Sequence, residues 1–574
     1  MLREEILNSI KKVIKDLQKE GVFPEFDLSK INIKHPQIKS HGDYTTNLAM
    51  RIAEKTKKDP METARLIKLK IQALDSPIFE KVEIVKPGFI NFFISRSVFT
   101  NELKKILKEK KHYGSGNIGK GRTVMVEYAH PNTHKLFHIG HLRNITNGEA
   151  IARILETSGF KIIRANYQGD VGLHIAKCLW AMKEIKDLEA KINQLKTINE
   201  KVDFLGKYYV AGNKAYEEDE KAKETILKIN NQIYDKDPEI KDLWQKTRKW
   251  SLDYFENIYK RVYTHFDRYY FEGEVAQPGK DIVLKALKKG TFIKSKGAVI
   301  FPGSRYGLHD RVFITSEGNP TYEAKDMELG RLQFKEYKPD LVIHNVGPEQ
   351  KEYFQVVFKA LTQVFPYTKG KEYHLVSGWV SLKQGKMSSR KGNIIKGQWL
   401  LDEVKKRIQE NFSNIPNDSA EIIAVGAVKY SFLKIRPLTA MLFDINESIS
   451  LEGNSGPYLQ YAYARARSVL RKSKIKEQEF KEIELKEEKE ITLLKLLSQF
   501  PEVVERAAIS YSPNLISNFL FELTQTFNAF YESLPVLKAE TKKLKMARLA
   551  LVNGTCQIVK NGLNLLGIMV LEKM

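Results

Sequence analysis

Cysteine is nearly absent: Cys178 and Cys556 are the only two in 574 residues, and about 380 positions separate them. That scarcity argues against a disulfide framework or a cysteine-built zinc site, and a reducing, cytoplasmic location is expected. No run of eighteen apolar residues occurs, so no membrane span is expected. The amino terminus, MLREEILNSIKKVIKDLQKE, alternates apolar and charged positions at helical spacing and lacks the uninterrupted apolar stretch of a signal peptide. No internal repeat is visible. Acidic residues run short as well: 70 Asp and Glu face 94 Lys and Arg, a formal net charge of +24. An excess of that size binds polyanions through counterion release, and nucleic acid is the leading partner class.

A chain of this length holds three or four domains at roughly 150 residues each. Residues 1–112 read as a small α+β unit: an opening helix, a loop entering a second helix at 42–57, and a hairpin in FEKVEIVKPGFINFFIS. The basic, glycine-rich KEKKHYGSGNIGKG reads as a linker. In the stretch 113–400, RTVMVEYAH reads as a strand. IGHLRNITNGEAIARILETSG reads as a helix with Leu142, Ile145, Ile151, Ile154 and Leu155 on one face and Gly159 as its stop. FKIIRANYQGD supplies the next strand, the opening of a doubly wound, Rossmann-type parallel sheet. A charged helical insertion is expected over about 180–290, clearest at 180–265, where the charge runs are solvated faces. KPDLVIHNVG reads as a buried strand and SGWVSLKQGKMSSRKGN as a loop. Over residues 401–574 nearly every segment has helical period. The expected fold is therefore α/β, a Rossmann-type parallel-sheet catalytic domain with an N-terminal α+β domain and a C-terminal all-α bundle.

HPNTHKLFHIGH, residues 130–141, holds four of the twelve histidines. On one helix such spacing would suit a metal. Pro131 and Gly140 break that helix, however, and no carboxylate or cysteine nearby completes a tetrahedral set, so no metal site is expected. His138-Ile139-Gly140-His141 instead falls where the first strand meets the first helix, the place where such sheets bind phosphates. There two histidines can donate to phosphate oxygens, and Gly140 allows close approach of an adenine ring. Far along the chain, GKMSSRKGN (Gly385–Asn393) crowds Lys386, Arg390 and Lys391 among small residues, a cationic loop suited to a departing pyrophosphate.

This pair resembles the signature of class I aminoacyl-tRNA synthetases, and the surroundings resemble arginyl-tRNA synthetases. VEYAHPNTHKLFHIGHLRN is similar to that family's segment around its first signature. GDYTTNLA and PGFINFFIS resemble its N-terminal additional domain, and YLQYAYARARSVLRK, FNAFYESLPVL and RLALVNGTCQIVKNGLNLLGI its anticodon-binding bundle. The resemblance implies ATP-dependent activation of L-arginine to arginyl-adenylate, with tRNA bound first, then transfer to the 3′ end of tRNA(Arg). Mg2+ is implied as a companion of ATP, and a monomer is expected. It implies that His138, Gly140, His141, Lys386, Met387, Ser388, Ser389 and Arg390 bind ATP, and that Glu127, Asn132, Tyr322, Asp326 and Gln350 hold arginine. A planar guanidinium with five donors needs such carboxylates and acceptors. Ser389 stands where most class I enzymes carry a lysine; in this family a lysine just before the first signature substitutes, which implies Lys135, alongside His138, His141 and Lys386, in catalysis. Val171 in GDVG replaces a usual tryptophan, and Ala129-His130 replaces two serines. Asn47 and Asn91 fall in segments that in this family approach the tRNA elbow, and Tyr458, Tyr461 and Tyr463 could stack on anticodon bases or fill a core. The alternative reading is a catalytically inactive, synthetase-like tRNA-binding protein.

Overall fold

Residues 1–74, 76–383, 395–412, 414–474 and 483–574 are described by a computed structural model. Its centre is a sheet of five strands: β1 (Thr123–Glu127), β2 (Lys161–Gln168), β3 (Arg268–Phe271), β4 (Leu341–Val346) and β5 (Glu372–Val376). All four pairings are parallel and the spatial order is β5-β4-β1-β2-β3. The chain thus moves outward from β1 to β3, then restarts on the other side with β4. Such a reversal opens a crevice outside the carboxyl ends of β1 and β4, where these sheets bind ligands. The expected α/β class is what the structure has.

β1 joins helix α1 (Ile139–Thr157) through a loop whose backbone is left-handed at Ala129, His130 and His134. Non-glycine residues take that conformation at a cost, and they do so mostly where a loop is over-determined by its surroundings. The surroundings are supplied by helix α2 (Pro238–Arg261), the last and longest of the helices that follow β2. His134 is fully buried, with its ring nitrogens 3.1 Å from Thr133 Oγ1 and 2.8 Å from Thr247 Oγ1. Ser251 accepts its backbone N–H at 3.0 Å. In GDVG, Asp170 binds Arg248 of α2 and the backbone N–H of Gly273, both at 2.8 Å. Gly273 belongs to helix α3 (Glu272–Lys288). The helical excursion therefore buttresses the signature loop. It ends at Arg261, and β3 with α3, which fall inside the stretch read as insertion, belong to the sheet layer. A four-residue strand carries too little pattern to be seen from sequence.

Helix α4 (Tyr322–Tyr337) precedes β4, and helix α5 (Lys351–Val364) follows it. A small antiparallel sheet of Ile293–Ser295, Ala298–Phe301 and Arg311–Ile314 packs beside them. The N-terminal residues form α1-independent helices around an antiparallel sheet of Tyr44–Thr46, Phe79–Val85 and Phe89–Ile94. That unit docks on the helical part through Tyr44 Oη to Glu502 (2.6 Å) and Lys495 to Asp43 (2.6 Å). From Gly397 onward helices dominate, and among the described residues there Met441–Phe443 is a strand, paired in parallel with Val380–Leu382. The periodic signal predicted α1 from five apolar positions, yet Arg143, Asn144 and Glu149 are buried there too. The fully buried Arg143 donates to the carbonyls of Gly378, Trp379, Pro437 and Thr439 at 2.6–3.3 Å, tying α1 to that two-stranded ribbon.

Candidate active site

His138 is the N-cap of α1. Its Nδ1 accepts the backbone N–H of Gly140 at 3.1 Å, while its own N–H donates to Nδ1 of His141 at 3.2 Å. The two rings stack with centroids 3.7 Å apart. Because each Nδ1 accepts from the backbone, each neutral ring must carry its proton on Nε2. Burial, reinforced by Lys135, holds His138 below the ordinary histidine range, and burial with His138, His130 and Lys135 holds His141 below it. The pair therefore offers hydrogen-bond donors without formal charge at neutral pH. A Cβ on Gly140 would stand 2.9 Å from the His138 ring, so glycine here lets the cap close.

The chain leading into the helix at Gly397 is stitched to the same turn: Ile139 donates to Ile395 O at 3.0 Å and Gly397 to Phe137 O at 2.8 Å. Lys386, Met387, Ser388, Ser389 and Arg390 lie outside the described residues. Lys135 stands at the edge of the turn, half-buried, its ammonium 5.8 Å from the centre of the Tyr209 ring. Burial lowers its pKa and Glu272 acts in the opposite direction.

A cavity of about 930 Å3 opens at the carboxyl ends of β1 and β4. His138, Gly140, His141, Glu127, Asn132, Tyr322, Asp326 and Gln350 all line it. Asn132 packs on Gly169, where an added Cβ would fall 2.0 Å from Asn132 Oδ1. Gln350 sits in the short turn that leads from β4 into α5. Tyr322 is the first residue of α4 and is exposed, and Asp326 follows one turn later.

Charge at this wall is unevenly compensated. Glu272 pairs with Lys325 at 2.7 Å and Glu323 with Arg311 at 3.0 Å. Glu127, in register with His344, lies 3.1 Å from His344 Nδ1, while His344 Nε2 reaches Glu372 at 2.8 Å. Burial disfavours the His344 cation, but the two carboxylates overcome it and push the ring up to about 10. Burial likewise opposes ionised Glu127, and His344 overcomes it, so that carboxyl titrates below its usual range. Asp326 has only the Tyr353 hydroxyl, which donates at 2.7 Å, and no cationic side chain pairs with it among the described residues. Burial pushes its carboxyl up to about 8, with Glu127 adding to the effect. A half-buried acid of this kind, lining a cavity, is suited to receive an incoming cation.

Tyr353, Tyr167, His344, Glu372 and Arg311 form this wall without having been singled out in the sequence. His344 lies inside an apolar strand, and its register opposite Glu127 brings the two together, with Glu372 of the neighbouring strand on the other ring nitrogen. Among the described residues no three His, Cys, Asp or Glu are placed to hold a metal ion.

The residues suggested for tRNA divide. Asn47 is exposed at the start of its helix. Asn91 is buried, accepting from Thr45 Oγ1 at 2.6 Å, and is a residue of the sheet interior rather than of a contact surface. Tyr461 is exposed, Tyr458 is half-buried with its hydroxyl accepting from Asn528 at 2.9 Å, and Tyr463 is buried against Glu572.

Comparison with known proteins adds independent findings. Residues 102–445 match the family described as tRNA synthetases class I (R), catalytic domain. Residues 459–574 match the DALR anticodon binding domain, and residues 4–94 the arginyl tRNA synthetase N terminal domain. The chain is 34% identical to the arginine–tRNA ligase of Treponema denticola, over all of both chains. It is 31% identical to that of Bacteroides thetaiotaomicron, over 93% of this chain and 94% of the other. In fold it is similar to the arginyl-tRNA synthetases of Thermus thermophilus (TM-score 0.81, 24% identity, all of both chains) and Plasmodium falciparum (TM-score 0.80, 22% identity, 100% and 99% covered).

Proposed function

From the premise that this chain belongs to the class I arginyl-tRNA synthetases, we propose how its cavity performs arginine–tRNA ligation. It is an aminoacyl-tRNA ligase with ATP as its activating substrate. The substrate's α-carboxylate oxygen attacks the α-phosphorus of ATP, the bond to pyrophosphate breaks, and arginyl-adenylate forms. The terminal ribose hydroxyl of tRNA(Arg) then attacks the activated carbonyl, and AMP leaves. No side-chain nucleophile is required, because positioning and electrostatic stabilisation carry such reactions.

The observation that carries this assignment is the juxtaposition, in one cavity, of an acid lacking a cation, Asp326, with two uncharged histidine donors at a helix N-terminus. Asp326 receives the guanidinium, with Tyr322 beside it, while Glu127, Asn132 and Gln350 orient the rest of the amino acid. His138 and His141 donate through Nε2 to phosphate oxygens, Gly140 keeps their geometry, and Lys386, Met387, Ser388, Ser389 and Arg390 complete the ATP site. Lys135 swings from Tyr209 to the phosphates, replacing the lysine absent at position 389. Mg2+ travels with the triphosphate, offsetting its charge.

The work divides among residues 1–112, which meet the tRNA elbow through surfaces such as that of Asn47, the catalytic region 113–400, and the anticodon-binding helices 401–574, where Tyr458 and Tyr461 face bases. The net charge of +24 supplies the non-specific part of tRNA affinity. The protein acts as a monomer in the cytoplasm; no helix among the described residues is long and apolar enough to cross a membrane. Arginine-dependent ATP–pyrophosphate exchange, run with and without tRNA(Arg), tests the reading. Exchange that requires both arginine and tRNA is expected. Tight tRNA binding with no exchange under any condition would instead identify an inactive tRNA-binding protein.

A further inference from the structure

Among the described residues, buried tyrosine hydroxyls are hydrogen-bonded with one exception. Tyr353 donates to Asp326, Tyr128 to Glu149, and Tyr259 accepts from Asn166 and Gln168. Tyr167 is different: its hydroxyl is buried and has no hydrogen-bond partner among the described residues. The strand explains its direction. Asn166 and Gln168, its neighbours on β2, both turn to Tyr259 on one face of the sheet, so Tyr167 projects from the other, toward α3 and α4. Its ring packs against the apolar cluster that includes Met125, Val275, Leu329 and Val342, and the residue lines the active-site cavity. The charges acting on the hydroxyl are those of Glu272, Asp326 and Glu127, with Tyr322 beside them.

A buried hydroxyl without a partner is costly, and a ligand that supplies the partner recovers the loss. The geometry also restricts what that ligand group is. Glu272 is already satisfied by Lys325 and Glu127 by His344, which leaves Asp326 as the acid open to a cation. One carboxylate takes at most two of the five guanidinium donors side by side, so further acceptors are needed around the fork. A phenol oxygen supplies one without placing another negative charge among three acids.

We propose that Tyr167 is a specificity-determining residue for the amino acid, its hydroxyl accepting a hydrogen bond from a guanidinium N–H of arginine held on Asp326. The inference rests on the arginine-ligase reading above and extends it to a residue outside the set that the signature motifs mark. The Tyr167→Phe variant removes one oxygen and keeps the ring.

In tRNA-dependent exchange its KM for arginine should rise about tenfold, equivalent to ~1.4 kcal/mol, with KM for ATP and the melting temperature unchanged. Two competitive inhibitors locate the contact: agmatine, which lacks the carboxylate, and the deaminated analogue of arginine, which lacks the α-amine. Both keep the guanidinium, so both inhibition constants should rise by the same factor as KM. A KM for arginine within twofold of wild type overturns the assignment. So does an unmoved constant for agmatine, which would place the hydroxyl on the carboxylate, or for the deaminated analogue, which would place it on the amine. Wild-type protein without arginine-dependent exchange would instead sink the ligase reading itself.

Discussion

The two walls of the active-site cavity solve opposite electrostatic problems. At the start of α1, His138 and His141 are locked by backbone N–H groups, stacked and uncharged. At the start of α4, Asp326 is held with a raised pKa and no cationic side chain paired with it among the described residues. In the proposed reading the histidine pair of the phosphate wall is thus set before its ligand arrives, whereas the amino-acid wall is completed by the ligand's own charge. The contrast follows from what each wall meets. Phosphates bring more negative charge than a protein site should fix in advance with rigid cations, and neutral donors at a helix N-terminus serve them. A guanidinium never loses its proton, so selectivity against other amino acids is best built from an acid that is unstable without it.

The largest effect expected is at that acid. Asp326→Asn should raise KM for arginine about a hundredfold, equivalent to ~2.7 kcal/mol, while KM for ATP stays within twofold. A comparable rise in both constants would mean that the walls are not separate. Next comes Lys135→Ala, which should lower kcat in tRNA-dependent exchange by more than about tenfold, the loss of a phosphate contact worth upward of ~1.4 kcal/mol. Activity within twofold of wild type would remove Lys135 from the mechanism. Gly140→Ala should act through His138, whose ring an added Cβ would meet at 2.9 Å. A loss of about tenfold in kcat is expected without loss of melting temperature, since alanine is the better helix former.

The acid wall also predicts a pH dependence. In the free protein Asp326 titrates at about 8, and bound guanidinium lowers that value by stabilising the carboxylate. Binding therefore releases a proton below pH 8. Arginine affinity should rise with pH, by at most about tenfold per unit, and level off above about 8. His344, at about 10, keeps its charge across that window and so does not contribute. A dissociation constant that is flat between pH 6 and 8 would contradict the shift. The smallest effect concerns the buttress. Thr247→Val strips His134 of a 2.8 Å partner, and should cost about 1 kcal/mol of stability in a denaturant melt with little change in KM for arginine. A change confined to KM would mean that α2 shapes the substrate wall instead.

Much of this was legible from residue order. Strand and helix around residues 123–157 follow from apolar runs and period, and the class of fold follows from their alternation. His138, Gly140 and His141 are recognisable because a short motif sits between strand and helix, so local sequence carries its own structural context. Tyr322 and Asp326 are four apart on one helix and could be paired from spacing. Other features had no local signature. β3 is four residues long and follows some ninety residues of helix, so it read as part of an insertion. Asn91 is marked in the sequence only by the likeness of its segment to one that approaches tRNA, a structural role being equally open, and its pairing opposite Thr45 shows that it is interior. Met441–Phe443 read as helix because three residues cannot display a period, and its strand partner lies some sixty positions earlier.

What the sequence determined alone is chemistry that travels with a continuous segment: the nucleotide turn, the parallel sheet that carries it, the basic surface and the relation to a ligase family. What only the tertiary structure decided is which charges are compensated. Lys325 answers Glu272 and His344 answers Glu127, across elements distant in the chain, while Asp326 has the Tyr353 hydroxyl and the Tyr167 hydroxyl has no hydrogen-bond partner among the described residues. The physical reason is that a carboxylate's state depends on burial and on cations within a few ångströms, and those distances exist only after the strands have taken their register.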